Sequence, residues 1–160
     1  MIDDEASRPA GLSAWAELSG LVDQVRILLN RDLQAAAGLT LAENLVLCQV
    51  AMAPAGRLRM VDIASTLTVA KSAITKTVDR LEERGLLRRE RDPADRRTVY
   101  AALTPAGEKA FCVAQPAYLD SVERHFASHL SDTAVRQLHQ LSSRIRTSAR
   151  PDPPQGTASG

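Results

Sequence analysis

The sequence has few cysteines, few aromatic residues and no long apolar segment. Its two cysteines, Cys48 and Cys112, stand far apart and form no CxxC pair, so neither a disulfide framework nor a zinc ribbon is expected. Aromatic residues make up 3% of the 160 residues, whereas 44% are hydrophobic and 24% are charged, a composition typical of a globular protein. The longest uncharged run, residues 44–56, has 13 residues and is too short to span a bilayer. The N-terminal dozen residues are acidic and lack the apolar core of a secretory signal, so we expect a cytoplasmic protein with no membrane partner.

Net charge is also nearly absent, with 20 basic against 19 acidic side chains, but the two signs are unevenly distributed. Residues 57–97 carry eleven Lys and Arg against seven Asp and Glu, a local charge of +4, and the rest of the chain carries −3. A basic segment is a candidate surface for an anionic partner, although a run of charge is more often only a solvated face. Its interpretation therefore depends on the local structure predicted for it.

Helices are predicted on the N-terminal side of the basic segment. Apolar residues recur at steps of three and four over residues 12–33, which indicates a helix with a narrow apolar seam that Gly38 ends. The TLAE sequence of residues 40–43 is a capping box, in which the Thr and Glu side chains each accept a hydrogen bond from the other's amide. It opens a second helix that extends to about Ala53.

Helices are also predicted on the C-terminal side. Residues 104–130 are expected to form a helix that is kinked at Pro116, because proline removes one backbone donor. Ser131 can cap a final helix whose apolar residues recur at steps of four and three.

Within the basic segment, two short helices are predicted over residues 61–67 and 71–84, joined by a tight turn and preceded by a very short strand at residues 58–60. Gly85 is placed to end the second helix in the left-handed conformation. The second helix presents small polar and basic side chains on its outer face. These features are typical of a helix-turn-helix.

A β-hairpin is predicted directly after these helices. Its strands are residues 86–91 and 98–103, and residues 92–97 form its tip. A helix-turn-helix followed by a two-stranded hairpin is a winged helix.

The hairpin tip has no core of its own, so its rigidity must come from its side chains. Asp95 stands two residues before Arg97, and its carboxylate can hold the guanidinium across the turn, while Asp92 can cap the amides of the turn. A stiffened tip would present Arg97 to the DNA minor groove, where arginine is the usual probe of width and negative potential. Arg96 can share this role.

The polar face of the second short helix would enter the major groove. Lys76 can donate to guanine O6 and N7, and Ser72 and Thr75 can reach phosphates or base edges. The alternative for any one arginine nearby is that it serves only solubility. The expected phosphate contacts are Arg57, Arg59, Arg80, Arg88 and Arg89.

Residues 62–107 resemble the winged-helix core of the MarR family of bacterial transcriptional regulators. Three motifs carry the resemblance: VDRLEERGLL is similar to the end of the family's recognition helix, DPADRR to its wing tip, and LTPAG to the start of its fifth helix. With the flanking helices, the resemblance covers about residues 12–145. In the family, the arginine at the position of Arg97 enters the minor groove and the aspartate at the position of Asp95 orients it, and the resemblance implies the same here.

The chain departs from the family at the start of the recognition helix. The family often has Ser and Pro where this chain has Ala70 and Lys71, so Ala70 cannot cap the helix through its side chain. Thr68 or Ser72 is a possible substitute cap. Lys71 adds a basic group at this point, which is a candidate phosphate contact.

The fold class implied is mainly α: a winged helix-turn-helix core with a two-stranded β wing, flanked by N- and C-terminal dimerisation helices. A single MarR-like domain is expected over residues 12–147, between a disordered N-terminus, residues 1–11, and a disordered tail, residues 148–160, rich in Pro, Gly and Ser. Within the domain, the dimerisation helices are residues 12–37 and 104–147, and the winged helix-turn-helix is residues 40–103.

The apolar seams of the terminal helices lie outside the winged-helix core and need a partner surface. A homodimer would supply it. The resemblance implies the same dimer, whose two winged helices would straddle a pseudo-palindromic operator on double-stranded DNA. The expected interface residues are Trp15, Leu18, Val22, Leu138, Leu141 and Ile145.

Members of the family commonly bind small aromatic acids or phenolic compounds in a cleft between the dimer helices and the winged helix, and then release DNA. The resemblance therefore implies a repressor that a small-molecule effector releases. Arg31 is an alternative to Arg26 for binding a ligand carboxylate, and Trp15 and Phe111 are more often plain core residues. The candidate lining residues are Trp15, Arg26, Asn44, Cys48, Phe111 and Tyr118.

A redox- or metal-responsive regulator of the same fold is an alternative. His125 and His129 are spaced to hold a metal on one helix face, but no nearby residues complete four ligands, so no metal site is expected. Redox-sensing members usually carry the reactive cysteine in the first helix, where this chain has none.

Two other functional classes, a protein-interaction module and an enzyme, fit the sequence less well than a DNA-binding protein does. A winged helix that serves as a protein-interaction module predicts apolar residues at the hairpin tip, and this tip is polar. An enzyme would need a catalytic or cofactor motif, and no Ser/His/Asp order, Gly-rich phosphate loop or carboxylate pair rises above chance. Neither catalysis nor a cofactor is therefore expected.

Overall fold

The computed structural model describes residues 10–67 and 69–148 and has six α-helices and one antiparallel sheet. The mainly α winged-helix fold expected from the sequence is confirmed. A single 3₁₀ turn, Ala127–His129, follows the fifth helix. The helices are α1 (Ala10–Ala37), α2 (Leu41–Ala51), α3 (Met60–Leu67), α4 (Lys71–Glu83), α5 (Pro105–His125) and α6 (Asp132–Ser148), and the strands are β1 (Arg57–Arg59), β2 (Leu87–Arg91) and β3 (Val99–Leu103).

The wing differs from the prediction by one strand. The sheet has the order β1-β3-β2, so the short strand before α3 pairs with β3 instead of standing alone. Leu58 lies opposite Ala101, which is fully buried, and Arg89 lies opposite the same residue on the other side. The base of the wing is therefore a three-stranded sheet, and the tip extends from β2 and β3 alone.

The junction between α1 and α2 is fixed by polar groups. Gly38 has a positive φ of 63° and ends α1. The capping box of α2 forms as expected, with the Thr40 hydroxyl accepting from the Glu43 amide at 3.2 Å and the Glu43 carboxylate accepting from the Thr40 amide at 2.8 Å. The Asn30 side chain of α1 accepts from the amide of Leu41 at 2.9 Å. The N-terminal amides of α2 are thus satisfied from two directions.

The core lies between the C-terminal half of α1, α2, α4, the sheet and α5. Its largest side chains are leucine, isoleucine and valine, which fill it without polar atoms. By contrast, α1 buries only Leu29 and Leu33, and α6 buries no residue. The fully buried apolar side chains include Leu33, Leu39, Leu47, Val50, Ile63, Val78, Leu81 and Leu87.

The LTPAG motif packs the start of α5 against the turn that ends α4. The Thr104 hydroxyl accepts from the Gly107 amide at 3.0 Å and donates to the Gly85 carbonyl at 2.6 Å. A Cβ on Gly107 would lie 2.0 Å from the Leu86 carbonyl oxygen. Only glycine permits this approach, which is the physical reason for the motif.

The end of α5 departs from the prediction. The helix continues past Pro116 and ends at His125, where Phe126 adopts φ −142° and ψ −62°. The expected single helix to residue 130 is therefore wrong.

Of the termini expected to be disordered, residues 1–9 and 149–160 lie outside the described residues. Ala10 and Gly11 belong to α1, and Ser148 belongs to α6. Over the described ranges, no single helix is long and apolar enough to cross a bilayer, and α1 and α2 would qualify only as a pair bent by 74°.

Candidate nucleic-acid interface

The second helix of the helix-turn-helix, α4, is held to the core by one face and exposes the other. Ile74, Val78 and Leu81 are buried. Because they recur at helical spacing, the opposite face is left to solvent. All five residues of α4 that were predicted to contact DNA are exposed: Lys71, Ser72, Thr75, Lys76 and Arg80.

The first turn of α4 has no side-chain cap. Ala70 is extended, with φ −60° and ψ 140°, and Ser72 does not take over as a cap, while Thr68 lies outside the described residues. The Ala70 carbonyl accepts from the amides of Ala73 and Ile74 at 2.9 and 3.2 Å. Main-chain hydrogen bonds therefore close this turn.

Two carboxylates shape the wing tip. Asp92 Oδ1 accepts from the amides of Ala94 and Asp95 at 2.8 and 3.2 Å, and its Oδ2 accepts from the Tyr100 hydroxyl at 3.3 Å. The hydrogen bond from the Ala94 amide, with those from Asp95 and Tyr100, holds the pKa of Asp92 below its usual range. The turn therefore carries an ionised aspartate at its base.

Asp95 acts on the backbone of Arg97 and not on its guanidinium. Its Oδ1 accepts from the Arg97 amide at 3.0 Å, and its Oδ2 accepts from the Thr98 hydroxyl at 2.9 Å. The expected pairing with the guanidinium is wrong, because the amide two residues on is already within reach of the short aspartate side chain. The Arg97 side chain is exposed and forms no ion pair with any described residue.

Two arginines predicted to contact phosphate are paired with one acid on the sheet. Arg57 Nη1 lies 3.2 Å from Glu90 Oε2, and the Arg57 guanidinium lies 4.5 Å from the centre of the Tyr100 ring. Arg88 lies 2.8 Å from the other oxygen of Glu90. The bonds from Arg88 and Arg57 lower the pKa of Glu90. These arginines are paired within the sheet, and their contact with DNA stays a prediction.

Two further arginines are also engaged within the chain. Arg59 lies 2.6 Å from Asp62, and this pairing raises the pKa of the arginine. Arg89 extends from β2 to α4, where its Nη2 lies 2.6 Å from Asp79 Oδ1 and its Nη1 lies 2.5 Å from Glu82 Oε2. The sequence did not reveal the pairs of Arg89, because they depend on how the strand packs on the helix, whereas Arg59 and Asp62 are only three residues apart.

Six exposed cations of this region form no ion pair among the described residues. Arg91 belongs to them although the sequence analysis did not single it out. Because side chains alternate along a strand, Arg91 lies on the same face of β2 as Arg89, the face turned toward α4. This alternation is the sequence signal that could have identified Arg91. The six are Lys71, Lys76, Arg80, Arg91, Arg96 and Arg97.

A cleft of about 350 Å³ separates α4 from the wing. Thr75 of α4, Arg89 of β2 and Arg97 of the tip all line this concave surface. The cleft is lined by Arg59, Met60, Val61, Thr75, Arg89, Arg97, Thr98 and Val99.

Known proteins resemble this region in both sequence and architecture. Residues 39–99 match the family model described as MarR family. The transcriptional regulator HosA of Escherichia coli O111:H- is 41% identical over 71 residues, 44% of this chain and 52% of HosA. Sco3205, a MarR family transcriptional regulator from Streptomyces coelicolor solved in complex with DNA, superposes with a TM-score of 0.84 and 26% identity over 93% of each chain. Over the winged helix the chain is therefore similar to regulators of the MarR family in sequence, and over nearly its whole length it is similar to them in fold.

The resemblance stated from the sequence is thus confirmed. The chain spans about half the length of the curated relatives it matches. A second solved structure, CouR from Rhodococcus jostii RHA1 bound to p-coumaroyl-CoA, superposes with a TM-score of 0.73 and 29% identity over 87% of this chain and 95% of CouR. The similarity in fold therefore extends from the winged helix to the terminal helices.

The ligand-lining residues expected for a MarR-family protein are not brought together in one cavity. Trp15 is 66% exposed, and Phe111 packs on the core. Asn44 is completely buried, and neither atom of its amide has a hydrogen-bond partner among the described residues. Cys48 is half-buried, and burial raises the pKa of its thiol, which makes the thiolate less accessible.

Arg26 and Tyr118 instead share a separate groove. It has a volume of about 710 Å³ and lies between α1, α5 and α6. Arg31, the alternative carboxylate ligand, is paired with Asp32 at 3.0 Å. The walls of the groove are mostly apolar and include Leu18, Val22, Val25, Leu29, Val122, Phe126, Leu138 and Leu141.

The two histidines considered for a metal site are not on one helix face. His125 ends α5, and its Nε2 lies 2.8 Å from Asp32, whereas His129 follows in the 3₁₀ turn. The interpretation of an exposed helix face is therefore wrong for His125, which is half-buried. The described residues contain no group of three or more His, Cys, Asp or Glu that could hold a metal ion.

The residues predicted for a MarR dimer interface remain uncovered in the single chain. Trp15, Leu141 and Ile145 are 66%, 51% and 63% exposed, and Leu18 and Val22 are also exposed. Leu138 is half-buried at the groove. The apolar surface of α1 and α6 is defined by these six side chains, of which Leu18, Val22, Leu138 and Leu141 line one groove.

Proposed function

We propose that this chain is a transcriptional repressor that binds double-stranded DNA as a homodimer and is released by a small aromatic or phenolic ligand. The observation that supports it most is the wing tip: its backbone is fixed by two aspartates while its arginines are exposed and unpaired among the described residues. A rigid turn that carries an unpaired arginine is suited to enter the minor groove and sense its width and negative potential.

The recognition helix α4 supplies the second set of contacts. Lys76 would donate to guanine in the major groove, and Ser72 and Thr75 would accept or donate at bases and phosphates. Thr75 already donates to the Lys71 carbonyl at 3.0 Å, so it would serve DNA mainly as an acceptor. The basic residues Lys71, Arg80, Arg91 and Arg96 would contact phosphates.

A homodimer is proposed because the apolar surface of α1 and α6 has no partner within the chain. An amphipathic helix that buries none of its residues, as α6 does, gains little from its own fold and needs a second surface. A twofold dimer would bury both copies of this surface and place the half-sites about 10 bp apart on a pseudo-palindromic operator.

The groove between α1, α5 and α6 shares Leu18, Val22, Leu138 and Leu141 with the proposed dimer interface, so an effector bound there would lie where the two subunits meet. Its apolar walls suit an aromatic ring, and the Arg26 guanidinium and Tyr118 hydroxyl are available for a carboxylate or phenol. CouR, a structural relative, is bound to the phenolic compound p-coumaroyl-CoA. A tenfold loss of DNA affinity needs only about 1.4 kcal/mol of preference for a dimer whose wings misfit the operator.

Sequencing of the genomic fragments that the purified protein retains tests this function. We expect a recurring pseudo-palindrome with half-sites about 10 bp apart, and the genes beside it would indicate the class of ligand. Retention that is independent of sequence at physiological salt would contradict the proposal.

A further inference from the structure

Arg89 connects the wing to the recognition helix through three hydrogen bonds. Its Nη2 donates to Asp79 at 2.6 Å and its Nη1 to Glu82 Oε2 at 2.5 Å, while its own amide donates to Glu82 Oε1 at 3.1 Å. Both oxygens of Glu82 are thus occupied by one residue of β2. Burial acts to lower the pKa of Arg89, and the hydrogen bonds to the two carboxylates outweigh it and raise that pKa.

This arrangement lies between the two elements that would contact DNA. Arg89 is in the middle of β2, and its side chain is 29% exposed. It lines the same cleft as Thr75 of α4 and Arg97 of the wing tip. Only the turn of residues 84–86 separates α4 from β2 in the chain, and the hydrogen bonds of Arg89 join the two elements beyond that turn.

We infer that Arg89 is a positioning residue, which holds the wing at the angle to α4 that lets both elements reach one duplex. This inference rests on the proposed DNA-binding function. Two carboxylates offset the charge of this guanidinium, so it attracts a phosphate less than an unpaired arginine does. The two acids are then present on the recognition helix because they hold Arg89, although acids on that helix repel DNA.

The sign of one substitution separates positioning from plain electrostatics. Glu82→Gln removes a negative charge from the recognition helix, so electrostatics alone predicts tighter binding of DNA. Positioning predicts the opposite: operator affinity falls about tenfold, the size of effect expected when a coupled pair is broken. Affinity for an unrelated duplex should not fall, because non-specific binding needs no matched reach into two grooves.

Glu83→Gln is the matched control. Glu83 is the next residue of α4, is exposed and forms no ion pair among the described residues, so its loss changes charge without changing position. We expect this variant to bind the operator as tightly as the unmodified protein or slightly more tightly.

The experiment measures fluorescence anisotropy of two duplexes of equal length, the operator recovered by genomic retention and an unrelated sequence, from 50 to 200 mM salt. Arg89→Ala and Arg89→Ala/Glu82→Gln are measured beside Glu82→Gln. We expect each single variant to lose operator affinity, the double variant to lose no more than Arg89→Ala, and the salt slope to stay unchanged. Arg89→Lys, which keeps the charge but not the bidentate geometry, should lose affinity as well, and circular dichroism reports whether each variant folds.

Two outcomes would overturn the inference. One is operator binding by Glu82→Gln that equals or exceeds that of Glu83→Gln, and the other is a salt slope that drops by about one for Arg89→Ala, as for a lost phosphate contact. Failure of the proposed function looks different, because the unmodified protein would then not distinguish the two duplexes.

Discussion

At Arg97 the backbone and the side chain have different roles. The amide is held by Asp95 at 3.0 Å, and the guanidinium is exposed and has no ion pair among the described residues. The Arg97 side chain therefore breaks no ion pair of the described chain when it enters a narrow, negative groove. The backbone to which it is attached is already ordered, so binding carries little entropy cost for ordering it.

Replacement of Arg97 by alanine should weaken operator binding by about 1–3 kcal/mol and leave the fold intact, because the side chain makes no stabilising contact within the described chain. Anisotropy titration with the operator duplex measures the loss. Arg136→Ala is the control, since Arg136 is an exposed arginine of α6 whose side chain only donates to Thr133 at 3.0 Å. Equal affinity of the Arg97 and Arg136 variants would show that the wing does not contact the operator.

Whether the role of a tip or sheet residue could be predicted depends largely on how far its partners lie from it along the chain. The capping of the tip by Asp92 was predictable, because its acceptor reaches amides two and three residues on. The pairing of Arg89 with Asp79 and Glu82 was not, because ten and seven residues separate the partners and their contact depends on helix–strand packing. Arg89 and Arg97 thus have different roles: Arg89 is paired within the fold, and Arg97 is exposed and available to a partner.

Among the elements, α1 and α5 are joined by one carboxylate. Asp32 of α1 accepts from the Ser121 hydroxyl at 2.8 Å, lies 2.8 Å from His125 and 3.3 Å from Arg124, and is paired with its neighbour Arg31. The hydrogen bond from His125, followed by that from Ser121, holds the pKa of Asp32 well below its usual range. The ionised form of Asp32 therefore stabilises the packing of these two helices.

This network predicts how stability responds to acid. The pKa of Asp32 is lower in the folded than in the unfolded chain, so its contribution is complete above about pH 4 and is lost as the pH falls further. Asp32→Asn should lower the free energy of unfolding by about 1–3 kcal/mol at pH 7. The difference from the unmodified protein should shrink below about pH 4.

Urea unfolding at pH 7 and pH 3, at one protein concentration, measures both effects. Asp23→Asn is the control, because Asp23 is an exposed acid of the same helix with no ion pair among the described residues. A stability difference that grows on acidification would contradict the role given to Asp32.

Elements with strong local signals were predictable, and elements defined by pairing were not. The capping box set the start of α2, and Gly85 set the end of α4 with a φ of 68°. Strand β1 has only three residues, too few to show a period of two, and it is recognisable only once β3 lies beside it. The break at Phe126 has no signal in the sequence that we can identify.

For the whole molecule, the uncovered apolar surface of α1 and α6 is the dominant feature. Ile145→Asp would place a charge in the proposed dimer interface, and the protein should then have the 17.3 kDa mass of one chain instead of twice that mass. Operator affinity should fall about 10²–10⁴-fold, because each half-site would be bound independently.

Light scattering after size-exclusion chromatography measures the mass. Met52→Asp is the matched control, since Met52 is 76% exposed in the turn after α2 and lies outside both terminal helices. The homodimer proposal fails if the unmodified protein already has the mass of one chain, or if the Met52 and Ile145 variants behave alike.

The close contact at Gly107 fixes the start of α5 against the backbone of Leu86. Because no side chain separates the helix from the Leu86 carbonyl, the start of α5 and the turn beneath the recognition helix move together. The 21 residues of α5 then act as a lever about 31 Å long, which ends beside α1 at His125. A tilt of about 5° at the start of α5 displaces its far end by about 3 Å over that length, so in the proposed homodimer a small change in subunit packing at the far end would tilt the wings.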